Sequence, residues 1–229
     1  MFPATLFDFN GVLVDDEHVH LEAFRDAVRP LGLSITDQEY WDEYLGFDDV
    51  GAFIAILKKA KMDASKEKVH QLVEDKRPHY MRRARDSLAT FEGAGALVRL
   101  RAQAGPVAVV SGALTDEIEL GLKTLGVREL VQKIISAEDT QVSKPDPEGY
   151  LMAMEWLRPL IGDAAEQALV FEDSVDGIRA AKAAGLPTVA VAHSYTLPQL
   201  EAAGADLALL HLRDVTQRHL SDLHKKLYG

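Results

Sequence analysis

Short apolar runs recur along the chain and predict the buried strands of a sheet. Between the runs, apolar residues recur at helical spacing and stop at a glycine, as Ile118, Leu122 and Leu125 do before Gly126. Strands that alternate with helices predict an α/β fold with a parallel sheet covered on both faces. The predicted strands are residues 5–9, 107–110, 133–136, 168–171, 188–192 and, from a weaker run, 207–210.

The segment from residue 15 to residue 87 breaks this alternation. It contains helical apolar stripes and no convincing strand, and its last stripe reaches Pro78, where a kink is expected. We therefore predict a helical insertion after the first strand. The predicted domains are a sheet domain made of residues 1–14 and 88–229 and a helical domain made of residues 15–87.

Polar residues follow each of the first four predicted strands. Because open parallel sheets bind ligands at the carboxyl ends of their strands, these residues are expected to converge on one site. Asp8 and Asn10 can face one ligand, since residues two apart in an extended segment point to the same side. A single acidic residue there is also typical of a turn or a helix cap. The groups are Asp8-Phe9-Asn10-Gly11, Ser111-Gly112-Ala113, Ser143-Lys144-Pro145-Asp146 and Glu172-Asp173-Ser174.

Three of these residues, Asp8, Glu172 and Asp173, predict a metal site. A cluster of carboxylates is costly unless a cation neutralises it. The chain has no cysteine, and oxygen ligands without an obvious histidine partner favour Mg²⁺. The alternative is that Asp173 or Ser174 caps the next helix, and one of them can do so beside a metal site.

Ser111, Gly112 and Lys144 are typical of a phosphate site. Ser111 supplies a hydroxyl, Gly112 lets the backbone approach closely, and the next helix start offers N–H groups to an anion. Lys144 supplies a compact positive charge. A turn serine and a surface lysine remain the alternatives for each residue taken singly. With the carboxylates, these residues predict phosphoryl transfer through an aspartyl phosphate.

The composition narrows the possible partners. With 229 residues, 47% of them hydrophobic, the chain can bury one large core or two small ones. A net charge of −11 without a long Lys/Arg block argues against nucleic acid and anionic membranes. No secretory signal or membrane-spanning run is visible. We therefore expect a soluble cytoplasmic protein. The candidate phosphate site adds the expectation of a small phosphorylated metabolite as partner, and we expect a monomer or a weak homodimer.

Four motifs in the chain resemble those of the haloacid dehalogenase superfamily, in the subgroup that contains β-phosphoglucomutase and small-molecule phosphatases. They are FDFNGVLVDDE, VVSGA, SKPDPEGY and FEDSVDGIRAAKAAG. The resemblance covers nearly the whole chain and implies a Rossmann-like parallel-sheet core with an inserted α-helical cap. It also implies a Mg²⁺-dependent phosphatase.

The resemblance further implies a role for each candidate residue. It makes Asp8 the nucleophile. It places Ser111 and Lys144 on the phosphoryl group, next to Gly112 and Ala113. It gives the Mg²⁺ ligands as Asp8, the backbone carbonyl of Asn10, Glu172 and Asp173.

Asn10 departs from the family pattern, which has an aspartate there as general acid and base. An amide forms hydrogen bonds but exchanges no proton at neutral pH. Its backbone carbonyl remains, so metal and phosphate binding should survive. General acid–base help is worth roughly 10²–10⁴-fold, so we expect slowed turnover and accumulation of phosphorylated Asp8. Whether Asn10 is natural or engineered stays open.

His20 and Lys76 in the helical segment are candidate substrate contacts by the same resemblance. For the basic run around Lys76 and Arg77, a solvated helix face is the favoured interpretation.

The stretch LGFDDVG, residues 45–51, is acidic where β-phosphoglucomutase has an arginine for a second phosphate. A monophosphate, such as a sugar phosphate, is therefore expected. Phosphomutase-like transfer and an impaired binding or regulatory protein are the alternatives.

Overall fold

The computed structural model describes residues 1–229, which divide into two compact units. The first unit is made of Met1–Asp15 and Thr90–Gly229, and the second is Asp16–Ala89. The first unit contains a large sheet, and the second is helical. Neither unit has a helix that combines the length and the apolar character needed to cross a bilayer.

A six-stranded parallel sheet forms the centre of the first unit. Its order is β5-β4-β1-β6-β7-β8, and each neighbouring pair is parallel. Two short strands, β2 and β3, pair separately. The predicted α/β fold is therefore confirmed. The strands are β1 (Thr5–Phe7), β2 (Val14–Asp15), β3 (Ala89–Thr90), β4 (Val107–Val110), β5 (Lys133–Ile135), β6 (Leu169–Glu172), β7 (Thr188–Val191) and β8 (Leu207–Leu209).

Strand β1 lies at the middle of the sheet, between β4 and β6. Its Phe7 ring stacks on Phe171 of β6, with the ring centroids 5.0 Å apart. The strand ends at Phe7 rather than at the predicted Phe9, because the Phe9 carbonyl accepts a hydrogen bond from the Leu13 N–H in a turn. Asp8 therefore leaves the sheet between the ends of two buried strands.

Helices connect the strands and form the second unit. The first four helices below belong to the second unit, and the other six belong to the first. One face of the sheet is covered by α7, whose Tyr150 and Leu157 share a buried cluster with Leu6 and Val170. The helices are α1 (Glu17–Val28), α2 (Asp37–Glu39), α3 (Asp49–Lys59), α4 (Lys66–Ser87), α5 (Ala94–Ala102), α6 (Thr115–Thr124), α7 (Glu148–Ile161), α8 (Val175–Ala183), α9 (Leu197–Ala203) and α10 (Gln217–Tyr228).

The second unit is built around its longest helix, α4. Helix α4 packs against α1 and α3. Between α1 and α3, the rings of Phe24 and Phe53 meet edge to face with centroids 5.0 Å apart. Helix α4 runs through Pro78 to Ser87, so the proline does not end it. The apolar stripes of this segment therefore form one helical core.

Arg101 on α5 is a buried cation that fixes the start of β1. Only 2% of it is exposed. Its Nε donates to the Thr5 hydroxyl at 2.8 Å, and its Nη2 donates to the Phe2 carbonyl at 2.7 Å. Burial lowers the pKa of Arg101, and these hydrogen bonds offset part of that desolvation cost. The strand that leads to Asp8 is thereby tied to the helix layer.

Replacing Arg101 with methionine should lower the free energy of unfolding of the first unit by about 2–4 kcal/mol, because two buried polar groups lose their donor. Urea unfolding followed by circular dichroism measures the change. Arg99→Met on the same helix is the matched control. Its guanidinium donates to the Gly126 carbonyl at an exposed position, so we expect a change below about 1 kcal/mol. Equal losses for the two variants would contradict the prediction.

Candidate active site

Lys144 joins the ends of three neighbouring strands. Its Nζ donates at 2.6 Å to Asp8 Oδ1, directly after β1, and at 2.6 Å to Glu172 Oε1, at the end of β6. It also donates to the Val110 carbonyl, at the end of β4, at 3.1 Å. Because both carboxylates are buried, the alternative of an ordinary surface lysine is wrong for Lys144.

Burial controls the charges of this cluster. Burial raises the pKa of Asp8 to about 7; Lys144 opposes the rise, and Glu172 adds to it. Burial also disfavours the charged form of Lys144, but Asp8 and Glu172 outweigh it and hold the pKa of Lys144 well above its usual value. One ammonium therefore does not balance the acidic groups, and further positive charge would favour ionised Asp8.

The acidic cluster fits the metal that the sequence predicts. Asp8, Glu172 and Asp173 are all buried, and their ligand oxygens lie within 4.8 Å of one another. A Cβ on Gly177 would lie 1.9 Å from Glu172 Oε1, and a Cβ on Gly11 would lie 2.0 Å from Asp173 Oδ2. The two glycines thus leave the space that these carboxylates occupy. Hard oxygen ligands with excess negative charge suit Mg²⁺.

Ser174, and not Asp173, caps helix α8. The Ser174 hydroxyl accepts a hydrogen bond from the Gly177 N–H at 3.0 Å. The Asp173 carboxylate instead accepts a hydrogen bond at Oδ2 from the Ser194 hydroxyl, in the loop after β7. The capping alternative therefore applies to Ser174 and leaves Asp173 in the acidic cluster.

The candidate phosphate binders Ser111, Gly112 and Ala113 follow β4, and Ser111 lies beside Asn10. The Ser111 hydroxyl donates to Asn10 Oδ1 at 3.3 Å and accepts from the Ala113 N–H at 3.2 Å. Gly112 is exposed, and helix α6 begins at Thr115. Ser111 is therefore a turn serine, which was the alternative to a phosphate binder, and it also contacts Asn10. Binding of phosphate by these residues stays a prediction.

Lys76 lies in a buried polar cluster of the second unit. It is fully buried, and its Nζ donates to His20 Nδ1 at 2.8 Å and to Asp49 Oδ1 at 2.5 Å. His20 Nε2 lies 3.3 Å from Asp16 Oδ2, to which the Tyr80 hydroxyl also donates, at 2.5 Å. The favoured interpretation of a solvated helix face is therefore wrong for Lys76. The roles of His20 and Lys76 as substrate contacts stay predictions.

Three further residues of the first unit contact the candidate site but were not predicted as site residues: Tyr150, His193 and Ser194. The Tyr150 hydroxyl donates to Glu172 Oε1 at 2.8 Å, although its spacing on α7 predicts only a core position. His193 Nδ1 donates to the Gly11 carbonyl at 2.7 Å. His193 and Ser194 could have been predicted from the sequence, because they are polar residues that directly follow the fifth predicted strand, residues 188–192.

A family model and several known proteins are similar to this chain. The model of the haloacid dehalogenase-like hydrolase family matches residues 5–191. Validoxylamine A 7'-phosphate phosphatase of Streptomyces hygroscopicus subsp. limoneus is 32% identical over 222 residues, covering 96% of this chain and 99% of that protein. The fold is shared with β-phosphoglucomutase from Clostridium difficile, with a TM-score of 0.82, 20% identity and 99% of both chains covered.

CbbY from Rhodobacter sphaeroides is also similar to this chain. Its structure as an aspartate-to-asparagine mutant, in complex with xylulose-(1,5)bisphosphate, matches with a TM-score of 0.80 and 27% identity. The match covers 93% of this chain and 96% of that one.

The family model spans most of the chain, and a phosphatase that is 32% identical spans nearly all of it. The predicted resemblance and the predicted enzyme class, a phosphatase, are therefore confirmed. The chain belongs to the haloacid dehalogenase-like hydrolase family.

Proposed function

We propose that this protein hydrolyses the phosphate ester of a small metabolite, such as a sugar phosphate, with Mg²⁺ and with Asp8 as the nucleophile. The observation that carries the proposal is the position of Asp8, which bonds to Lys144 inside a cluster of three buried carboxylates. The name of the validoxylamine A 7'-phosphate phosphatase supports a phosphate ester as the substrate.

In the first step, an oxygen of the ionised Asp8 carboxylate attacks phosphorus while the bond to the ester oxygen breaks, which leaves phosphorylated Asp8. The ester oxygen leaves as the alcohol and takes its proton from solvent, because the Asn10 amide transfers none. Lys144, 2.6 Å from Asp8 Oδ1, favours the ionised carboxylate and offsets the negative charge of the phosphoryl oxygens. The Ser111 hydroxyl donates a hydrogen bond to the phosphoryl group. When bound by Asp8, the Asn10 carbonyl, Glu172 and Asp173, Mg²⁺ supplies further positive charge to those oxygens.

In the second step, water attacks phosphorus and the bond to Asp8 breaks. This step needs a group that accepts a proton from the water. Asn10 occupies the position of the family's acid and base, and its Oδ1 lies 3.3 Å from the Ser111 hydroxyl. The amide orients water by hydrogen bonding but takes no proton. The proton of the water therefore passes to solvent, and hydrolysis of phosphorylated Asp8 is the slow step when the ester has a good leaving group.

The charges of the second unit favour a monophosphate over a bisphosphate. Its buried cation Lys76 is already paired with Asp49, which lowers its attraction for a second phosphate. The stretch 45–51 adds one further acidic side chain, the half-buried Asp48, which caps α3, and it contains no cation. We therefore propose a neutral, hydroxyl-rich organic part for the substrate, with His20 and Lys76 as candidate contacts.

A second candidate function is ligand binding without efficient turnover, and Asn10 is the observation that favours it. Phosphate and metal binding use groups that the amide leaves in place. In the related CbbY, a mutant with asparagine for aspartate is in complex with a sugar bisphosphate. Phosphomutase-like transfer would differ from hydrolysis only in the acceptor, which would be a sugar hydroxyl instead of water.

Replacing Asn10 with aspartate should raise steady-state hydrolysis by roughly 10²–10⁴-fold, because the variant regains a proton acceptor. Release of inorganic phosphate from a panel of sugar monophosphates in the presence of Mg²⁺ measures the gain. Asp8→Asn in the Asn10→Asp background is the control and should remove the activity. Equal rates for the wild-type protein and Asn10→Asp would show that position 10 does not transfer the proton.

Phosphorylated Asp8 should accumulate when the protein meets a phosphate ester with a good leaving group. Such a leaving group needs little protonation, so the first step stays fast while the second step is slow. Rapid quench should show a burst close to one product per active site, and mass spectrometry should find the phosphoryl group on the Asp8 peptide. Steady turnover with neither a burst nor a modified peptide would contradict this order of steps.

A further inference from the structure

The loop after β7 contacts two parts of the candidate active site. The Ser194 hydroxyl donates to Asp173 Oδ2. The neighbouring His193 donates from Nδ1 to the Gly11 carbonyl at 2.7 Å. Neither contact is explained by the apolar packing of β7, because both side chains lie beyond its last residue, Val191.

Asp173 is confined from two sides by these contacts. Gly11 has a φ of +72°, and a Cβ at this position would lie 2.0 Å from Asp173 Oδ2. The carboxylate therefore lies against the bare backbone of Gly11. Since Ser194 binds the same oxygen, Asp173 Oδ2 is held between the loop after β1 and the loop after β7.

The His193 ring is held in place by stacking, which fixes the orientation of its hydrogen bond to the Gly11 carbonyl. Its ring stacks on Phe91, with centroids 3.8 Å apart and an interplanar angle of 13°. Gly11 directly follows Asn10, whose backbone carbonyl is a proposed metal ligand. A shift of His193 would therefore move the backbone that presents this carbonyl.

We propose that His193 and Ser194 are positioning residues for the divalent cation: Ser194 orients the Asp173 carboxylate, and His193 fixes the backbone next to the Asn10 carbonyl. This inference rests on the proposed function, since it requires a cation at the acidic cluster. Hydrogen bonds that orient metal ligands typically change metal affinity by about 10–100-fold when they are removed.

The test is direct binding of Mn²⁺, measured by electron paramagnetic resonance on the full chain without substrate, with Mg²⁺ as competitor. Ser194→Ala should weaken Mn²⁺ binding by about 10–100-fold, whereas Ser194→Thr, which keeps a hydroxyl, should restore most of it. His193→Phe keeps an aromatic ring against Phe91 but has no donor for Gly11, and should also weaken binding. In activity assays, Ser194→Ala should require more Mg²⁺ for half-maximal rate, with kcat largely recovered at saturation.

Thr196→Ala is the matched control. Thr196 lies in the same loop and caps α9 together with Gln199, so its loss should lower the melting temperature and leave Mn²⁺ affinity unchanged. Equal Mn²⁺ affinity of the wild-type protein, Ser194→Ala and His193→Phe would overturn this inference alone. Absence of Mn²⁺ binding by the wild-type protein would overturn both the inference and the metal dependence in the proposed function.

Discussion

The bonds from the Lys144 ammonium to Asp8 and Glu172 are the interaction on which the rest of the site depends. Both carboxylates are buried at the ends of adjacent strands, where they would repel each other without a cation between them. Lys144 reaches them from the loop before α7, so the third motif of the chain holds the first and the fourth together. Tyr150 adds a neutral donor to Glu172.

The space for the carboxylates comes from the backbone. Gly11 and Gly177 lie where any Cβ would collide with Asp173 or Glu172. Ser174 takes over the cap of α8, which leaves Asp173 available to the acidic cluster. The metal site that we propose therefore depends on the glycines at positions 11 and 177 and on the Ser174 cap as well as on the carboxylates themselves.

In the second unit, a buried lysine has a single carboxylate partner and a histidine, whereas Lys144 in the first unit lies among several carboxylates. The buried Lys76 of the second unit is matched by Asp49 and His20 within the same helical bundle. A buried ammonium without such partners would lose its hydration at high cost. The sequence shows Lys76 only as one of several basic residues on α4, and its spacing does not distinguish it from its exposed neighbours. Only the packing of α1, α3 and α4 shows which of these basic residues is inside.

The sequence by itself determined the six strands of the main sheet, the helical insertion and the family, because apolar periodicity and short motifs are local properties of the chain. It also placed Asp8 and Glu172 at strand ends and Lys144 in the connection after a strand, on one edge of the sheet, since parallel strands bring their carboxyl ends together. It did not predict the two-residue strands β2 and β3, which are too short to show a pattern. Tertiary structure decided which of Asp173 and Ser174 caps α8, where Lys76 is buried, and that Ser194 contacts Asp173. The burial of Lys76 and the contact of Ser194 with Asp173 depend on distances between segments far apart in sequence, which no local pattern contains. The cap of α8 is a local bond, but the sequence allows it for Asp173 or for Ser174, and the distant Ser194 engages Asp173 instead.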